Sequence, residues 1–440
     1  MTLIEQVAER FGALVDPGAT CLVAVSGGPD SVALLDLLHR GVAVHGRTLV
    51  VGHVDHGIDP ASVAVAAHVA ALAAERGCPF VVEVLALGTD ASETRARTAR
   101  RAALVRMADA VGAAAIVTGH HADDQAETVL LRVLRGSGPA GLAAMRLRQG
   151  RWVRPLLDIR RVELEGYLAS RGLTTWNDPA NRDVRHLRSW LRHEVMPTLV
   201  ARLPDLTEQL VGVARRAGRA RTAWDAVPDL IPALDLHRSA GGISVAAPPL
   251  RGYRSAVRDA IVAALGRQSG VTLGARRLRE IGVLVMQEGG SRRIRVDRCL
   301  EVELAFDRLT FLRADVSPFL PVPIEGRVDV AIGDRRVEVR EAVATGSVER
   351  RAWETEIAPG RYVVRPWQPA DRIRPVGGAG SKAVATLFKE ARVAPSRRVE
   401  WPVVTAADGA TIVWVPGICR SGTRLPQRGT EALHVRCTDP

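Results

Sequence analysis

With 440 residues, 47% hydrophobic and 25% charged, the chain can bury more than one core, and its length suggests roughly two to four domains. No stretch approaches the roughly 20 apolar residues of a membrane span, the opening MTLIEQVAERF lacks the basic region and apolar run of a secretory signal, and the five cysteines form no CxxC pair or Cys/His cluster. A membrane protein, a disulfide scaffold and a zinc module are thereby excluded and a cytoplasmic protein is expected, whose net charge of +12 favours an anionic partner.

Residues 21–25 (CLVAV) read as a buried strand and 31–38 as a helix that begins directly after a glycine turn. A second strand is predicted over 48–54, a helix over 61–76, a third strand over 80–85 and a longer helix over 91–111, with Asp90 and Glu93 as a capping box. Residues 113–118 form the next strand. Asp124 and Glu127 make another capping-box pattern, opening a helix whose apolar face would hold Val129, Leu130, Val133 and Leu134. This alternation predicts a doubly wound α/β domain, a parallel sheet covered on both faces. Beyond Pro155 the pattern turns helical and arginine-rich. Residues 228–249, rich in proline and glycine, read as a linker, 251–285 as helical and 291–312 as a hairpin, and a proline-rich break at 317–323 precedes a strand-rich end. The expected architecture is an N-terminal α/β domain over 1–220, a helical linker, and two smaller mixed α/β domains over 225–315 and 325–440.

Charge is distributed unevenly. Residues 1–140 hold 11 arginines against 15 acids, whereas 141–222 hold 16 arginines against 8, an excess that could neutralise phosphates of a nucleic acid. Only Lys382 and Lys389 are lysines, so an arginine-favouring composition competes as an explanation of residue type, though not of the asymmetry.

Strand, SGGPDS, helix is an arrangement that points backbone N–H groups and a helix dipole at an anion. Gly27 and Gly28 permit a tight turn, Ser26 and Ser31 offer hydroxyls, and Asp30 could hold Mg²⁺. An ordinary strand-to-helix loop would look the same, and there is no GxxxxGK[ST] phosphate loop. Asp123 and Asp124 lie where a strand passes into a helix. Two carboxylates there could bind Mg²⁺ or take a proton from an amine, and a helix cap would need only one. His120 and His121 suit a structural or a catalytic role equally. Glu93, Arg97 and Arg100 fall on one helical face, either a phosphate-facing row or a solvated set of Glu–Arg pairs.

The hexapeptide at 26–31 resembles the signature loop of the N-type ATP pyrophosphatases, the PP-loop superfamily with an adenine nucleotide alpha hydrolase-like fold. Five further segments resemble the lysidine synthases within it. They are His53-Val54-Asp55-His56-Gly57-Ile58; the Glu93, Arg97, Arg100 row; GHHADDQAET at 119–128; RPLL at 154–157 with WNDPANRD at 176–183, Arg188 and Arg192; and residues 365–404 with DRIRP, LFKEA and WPVV. Asp59-Pro60 and Ser189 depart from the family pattern.

That resemblance implies ATP and Mg²⁺ as cofactors. It places the nucleotide on Ser26, Gly27, Gly28, Pro29, Asp30, Ser31, His53, Val54, Asp55 and Arg100, catalysis on Asp30, Arg97, Asp123 and Asp124, and Mg²⁺ on Asp30 and Asp124. Arg185, Arg188 and Arg192 would follow tRNA phosphates, with Trp176 available for stacking, and Arg374, Lys382, Lys389, Arg397 and Arg398 would meet the acceptor stem. The implied partners are an isoleucine tRNA with a CAU anticodon and free L-lysine, and a homodimer stays open. In the implied reaction the wobble cytidine's 2-carbonyl oxygen attacks the α-phosphate of ATP, pyrophosphate leaves, and the lysine ε-amine displaces AMP from carbon 2, changing codon reading from AUG to AUA. Two alternatives remain, a tRNA thiolase of the same superfamily, for which paired cysteines are lacking, and a non-catalytic RNA-binding protein on the same scaffold, against which the intact acids argue.

Overall fold

Strands β1 (Thr20–Ala24), β2 (Thr48–Asp55), β3 (Phe80–Val84), β4 (Ala115–Val117), β5 (Arg148–Gln149) and β6 (Trp152–Val153) form one sheet in the order β3-β2-β1-β4-β6-β5. All neighbours are parallel except β5, which pairs antiparallel with β6. The computed structural model describes residues 1–55, 62–85, 93–176, 187–239, 241–313, 319–332, 335–346, 349, 352–378 and 380–438, and the chain divides into two units, Met1–Thr222 and Ala223–Pro440.

Period-two alternation sets the layers of the first unit. Cys21 and Val23 face α1 (Leu3–Leu14), α2 (Pro29–Arg40), which leads into the short α3 (Val42–His45), then α4 (Ser62–Glu75) and the helix Arg161–Arg171. Leu22 and Ile116 face the other way, onto Leu104 and Met107 of α5 (Glu93–Ala110). Helix α2 starts two residues before the expected point because Pro29 at its first position is already set for helical φ. Leu34, Leu35, Leu37 and Leu38 are all fully buried, each worth about 1.5–3 kcal/mol of burial. Asp36 among them is buried but paired, accepting from Arg40 (3.0 Å), Arg76 (2.9 Å) and the Tyr167 hydroxyl (2.7 Å), which ties three helices together.

Two sequence expectations change in α6 (Ala122–Leu134). Its N-cap is His121, not Asp124, because the imidazole accepts from the Asp124 N–H while the Asp124 carboxylate accepts from the His121 N–H. Val133 and Leu134 are exposed, and the inward face carries Asp124, Gln125 and Glu127 beside Val129. The Asp90–Glu93 capping box lies outside the described residues. A helical stretch follows, as expected, through Leu187–Trp190, a π turn over Leu191–Val195, Met196–Arg202 and Leu206–Ala226.

In the second unit, residues 228–249 are folded rather than a linker. Strands His237–Ser239 and Gly242–Ala246 pair, Leu234 and Val245 are fully buried, and the prolines sit in the first turns of short helices. The predicted hairpin is a three-strand meander, Ser291–Arg295, Leu300–Ala305 and Arg308–Arg313, covered by Ser255–Gln268 and Ala275–Val285. Beyond it, sheets of five and four strands enclose Ile324, Val337, Val364, Trp414 and Val435. The predicted fold class therefore holds, a doubly wound parallel sheet followed by helices and smaller mixed β-rich parts. Among the described residues no helix is long and apolar enough to cross a membrane.

Candidate active site

The chain runs outward from β1 to β3 and then returns to β4 on the other side of β1, so the loops after β1 and β4 flank a crevice at the C-terminal edge of the sheet. Doubly wound sheets bind ligands at such a switch point. Gly27 in the first loop has φ +86°, a conformation glycine adopts without strain, and a Cβ there would lie 3.1 Å from Val65 and 3.5 Å from Trp176. Gly28 caps α2 without a side chain; Pro29 has no N–H and the Ser31 N–H donates to Gly28 O (3.1 Å), so the Asp30 N–H and the positive end of the helix are what the first turn offers a ligand. The Ser31 hydroxyl shapes this loop, donating to Gly28 O (2.9 Å) and accepting from the Ser26 N–H (3.1 Å), with Ser26 Oγ 3.2 Å away. Gly119 in the second loop touches the same turn, and a Cβ there would fall 2.8 Å from Asp30 O.

His121 links the two loops. Its side chain is 1% exposed, with Nε2 3.5 Å from both Asp30 Oδ2 and Asp124 Oδ2 and Nδ1 3.7 Å from Asp123 Oδ2. Burial opposes protonation, but Asp30, Asp124 and Asp123 together raise the imidazole above its ordinary value. Nε2 lies at the limit of hydrogen-bonding distance from Asp30 and Asp124, with no well-formed acceptor among the described residues.

The three acids differ. Asp124 accepts three hydrogen bonds, its Oδ1 receiving Arg188 (3.1 Å) and Arg192 (2.5 Å) and its Oδ2 the His121 N–H (3.1 Å). Burial would raise Asp124, yet His121, Arg188 and Arg192 hold it far below the usual carboxylate range, so it is a fixed anion and a poor proton acceptor. Asp123 is engaged by Arg160 (3.2 Å) and the Arg161 N–H (2.8 Å). Asp30, 33% exposed, meets no arginine among the described residues. A Mg²⁺ ion would fit Asp30 better than Asp124, whose carboxylate already faces two arginines and would have to bring the cation beside them.

Arg188 and Arg192, expected to follow RNA phosphates along a free helix face, instead turn inward. Arg192 grips Glu127 through Nε (2.6 Å) and Nη2 (2.9 Å), and Arg188 Nε reaches the same carboxylate at 3.3 Å. Glu127 was readable only as a capping residue. Its spacing of three from Asp124, matched by the spacing of four between the arginines, is the signal that the two rows face each other. Arg185 lies outside the described residues. Trp176, expected to stack on RNA, donates its backbone N–H to Gly27 O (2.8 Å) and so supports the turn.

His53 is a buried tie between strands, its Nδ1 2.8 Å from Val25 O, and buried Asp55 accepts from Ser62 Oγ (3.1 Å), while Val54 is only half-buried. Arg97 and Arg100 keep exposed side chains on α5, and Arg97, Arg101 and Arg188 come near enough to act on the charge of Arg100. In the second unit Arg374, Lys382, Lys389 and Arg397 are exposed, Lys382 lying 3.5 Å from Glu390. Arg398 is buried and donates twice to Val393 O (3.0 and 2.7 Å), an internal brace rather than an RNA contact.

His120 gives a pH test. Burial pushes it down to about 4, opposed by Asp124 and reinforced by Arg154, Arg188 and Arg100. Below the unfolded value of about 6.5 the unfolded chain takes up a proton that the folded chain refuses, so stability falls between about pH 6.5 and 4, by up to ~3 kcal/mol. His121 has the opposite sign, stabilising at low pH and losing that contribution as pH rises through its raised value. His120→Asn is therefore expected to flatten the acid-side fall in Tm, and a slope equal to that of the parent would contradict the burial of a neutral imidazole.

A family model described as a PP-loop domain matches residues 3–199, and one described as the TilS substrate C-terminal domain matches 362–437. The chain is 33% identical to the tRNA(Ile)-lysidine synthase of Symbiobacterium thermophilum, over 100% of this chain and 98% of the relative, and 34% identical to that of Solibacter usitatus, over 90% and 93%. Among solved structures it is similar to the U34-tRNA thiolase NcsA from Methanococcus maripaludis, with 18% identity, a TM-score of 0.43 and coverage of 49% of this chain and 78% of that one, a likeness too slight to bear on chemistry. With a third of its residues identical from end to end, the chain belongs to the tRNA(Ile)-lysidine synthase family.

Proposed function

We propose that the chain joins L-lysine to carbon 2 of the wobble cytidine of a CAU-anticodon isoleucine tRNA, with ATP split to AMP and pyrophosphate through an adenylated base. The observation that carries this reading is the packing of Gly119 on Asp30, which puts the anion-binding turn, Asp30 and the His121–Asp124 pair on one crevice. The Asp30 N–H and the positive end of α2 would hold ATP phosphates, and buried His121, whose Nδ1 accepts the Asp124 N–H, would donate from Nε2 to a phosphate oxygen. Asp30 would hold Mg²⁺, which when bound offsets the phosphate charge. Arg97 and Arg100, exposed on α5, would meet the departing phosphates or the adenylate. Carbon–nitrogen bond formation releases AMP and one amine proton, which must go to a group other than Asp124, since that carboxylate is held ionised.

Exposed Arg374, Lys382, Lys389 and Arg397 are proposed contacts to the tRNA acceptor stem. A thiolase would need reactive thiolates at the crevice. Cys21 lies near the start of β1, with burial pushing its thiol up to about 11, and Cys78 precedes β3, so both sit at the opposite edge of the sheet. As a test, ATP turnover should yield AMP and pyrophosphate and should require a CAU-bearing RNA; ADP as product, or equal turnover without RNA, would remove the proposal.

A further inference from the structure

We propose that Arg154 and Arg101 form a second anion site, apart from the turn after β1, that takes a phosphate group, in the first place a backbone phosphate of the RNA beside the target base. The choice of RNA rests on the function proposed above; the phosphate chemistry does not.

Arg154 directly follows β6, and its N–H donates to Leu147 O (2.8 Å), so the chain is still extended there and Arg154 projects on the same side as Trp152. That side is the one α5 covers, where Trp152 packs with Ile116, Leu104 and Met107. Arg101 of α5 lies over the Trp152 ring at 4.1 Å from its centroid, an arrangement that fixes the guanidinium in place. Helix α5 returns the chain from β3 to the parallel strand β4, so it starts at the C-terminal edge of the sheet, and Arg101 lies near its middle, in the half closer to that edge. His120 marks the same edge, its Nδ1 2.9 Å from Thr118 Oγ1, and Thr118 N–H is bonded to Val153 O beside Arg154.

Neither cation has a carboxylate partner among the described residues. Arg154 is 5% exposed; Nη1 donates to Arg146 O (2.9 Å), while its buried Nε has no acceptor. Burial, and then the charges of Arg101 and Arg97, bring Arg154 down to about 10, so it is still cationic at neutral pH. Burying an unpaired guanidinium among other guanidiniums is unfavourable, and an incoming anion would relieve it. Strand β4 separates β6 from β1, so the site lies two strand spacings, about 10 Å, from the phosphate-binding turn. That offset suits a phosphodiester on the far side of a base whose reacting atom meets the α-phosphate.

Arg154→Met and Arg101→Gln test the site in the full-length protein. For Arg154→Met the expected result is a tRNA affinity lower by about tenfold, a salt dependence shallower by roughly 0.7–0.9 in log–log slope, and an unliganded Tm that is unchanged or higher. Arg101→Gln, at an exposed position, should reproduce the affinity loss without touching the core. A rise in the KM for ATP with tRNA affinity intact would assign the bound phosphate to the nucleotide and still support a phosphate site. A lowered Tm with both affinities unchanged would overturn it, making Arg154 a structural brace. If the parent protein transfers lysine and both variants match it in tRNA and ATP binding, the site fails alone; if the parent transfers no lysine while the variants lose RNA affinity, the site stands and the ligase reading falls.

Discussion

Asp30→Ala is expected to lower formation of AMP and pyrophosphate about 10³-fold while tRNA affinity stays within about twofold, because a preorganised charge at the reacting phosphates acts mainly on the transition state. Asp30 sits in the first turn of α2, directly after the glycine turn that follows β1, and is the one acid of the crevice that meets no arginine among the described residues. Removing it would take away the best-placed Mg²⁺ ligand and one of the acids that face His121 Nε2, so both contributions to phosphate stabilisation would fall together. RNA contacts proposed for the second unit and for Arg154 are untouched by the change. Equal turnover by the variant would sink the assignment of Asp30, and a parallel loss of tRNA binding would mean that the turn serves RNA instead.

Arg192→Ala is expected to cost about 3 kcal/mol of stability, toward the lower end for breaking a buried pair because the side chain keeps 28% of its exposure. Asp124 and Glu127 are both buried, and Arg192 reaches both, as does Arg188. Without Arg192, Arg188 would be left to serve both carboxylates, and Glu127 would lose its closest cation. For a unit of this size the loss corresponds to a Tm lower by roughly 6–12 °C. Adding Glu127→Gln to the same chain should restore part of it, since the second change removes the charge left unpaired. A single variant within 2 °C of the parent, on the scale of about 2–4 °C per kcal/mol, would show that the cluster contributes little.

The N-terminal fold was legible because its signals are local. Runs such as CLVAV and TLVVGHV are long enough to mark strands buried on both faces, and SGGPDS places a glycine with φ +86° and a helix-starting proline where a turn needs them. The direction of polar faces was less legible. In α6 both Val133 and Asp124 fit a helical period, and only the opposing arginines on residues 187–202 decide that the acidic side is the buried one. Arg188 and Arg192 likewise read as an RNA-facing row until their partners are known. Arg398 stands next to exposed Arg397 yet is buried against Val393 O, a distinction made by one helical step and invisible in composition. Proline misled at 228–249, where it opens short helices instead of breaking the chain.

The most direct test is transfer of labelled lysine. Incubated with ATP, Mg²⁺ and labelled L-lysine, the protein should label an isoleucine tRNA bearing CAU, with one AMP per lysine joined, and should leave unlabelled a methionine tRNA with the same anticodon. ATP cleavage without label in the isoleucine tRNA would contradict lysine as the nucleophile, and neither cleavage nor label would contradict the ligase account itself.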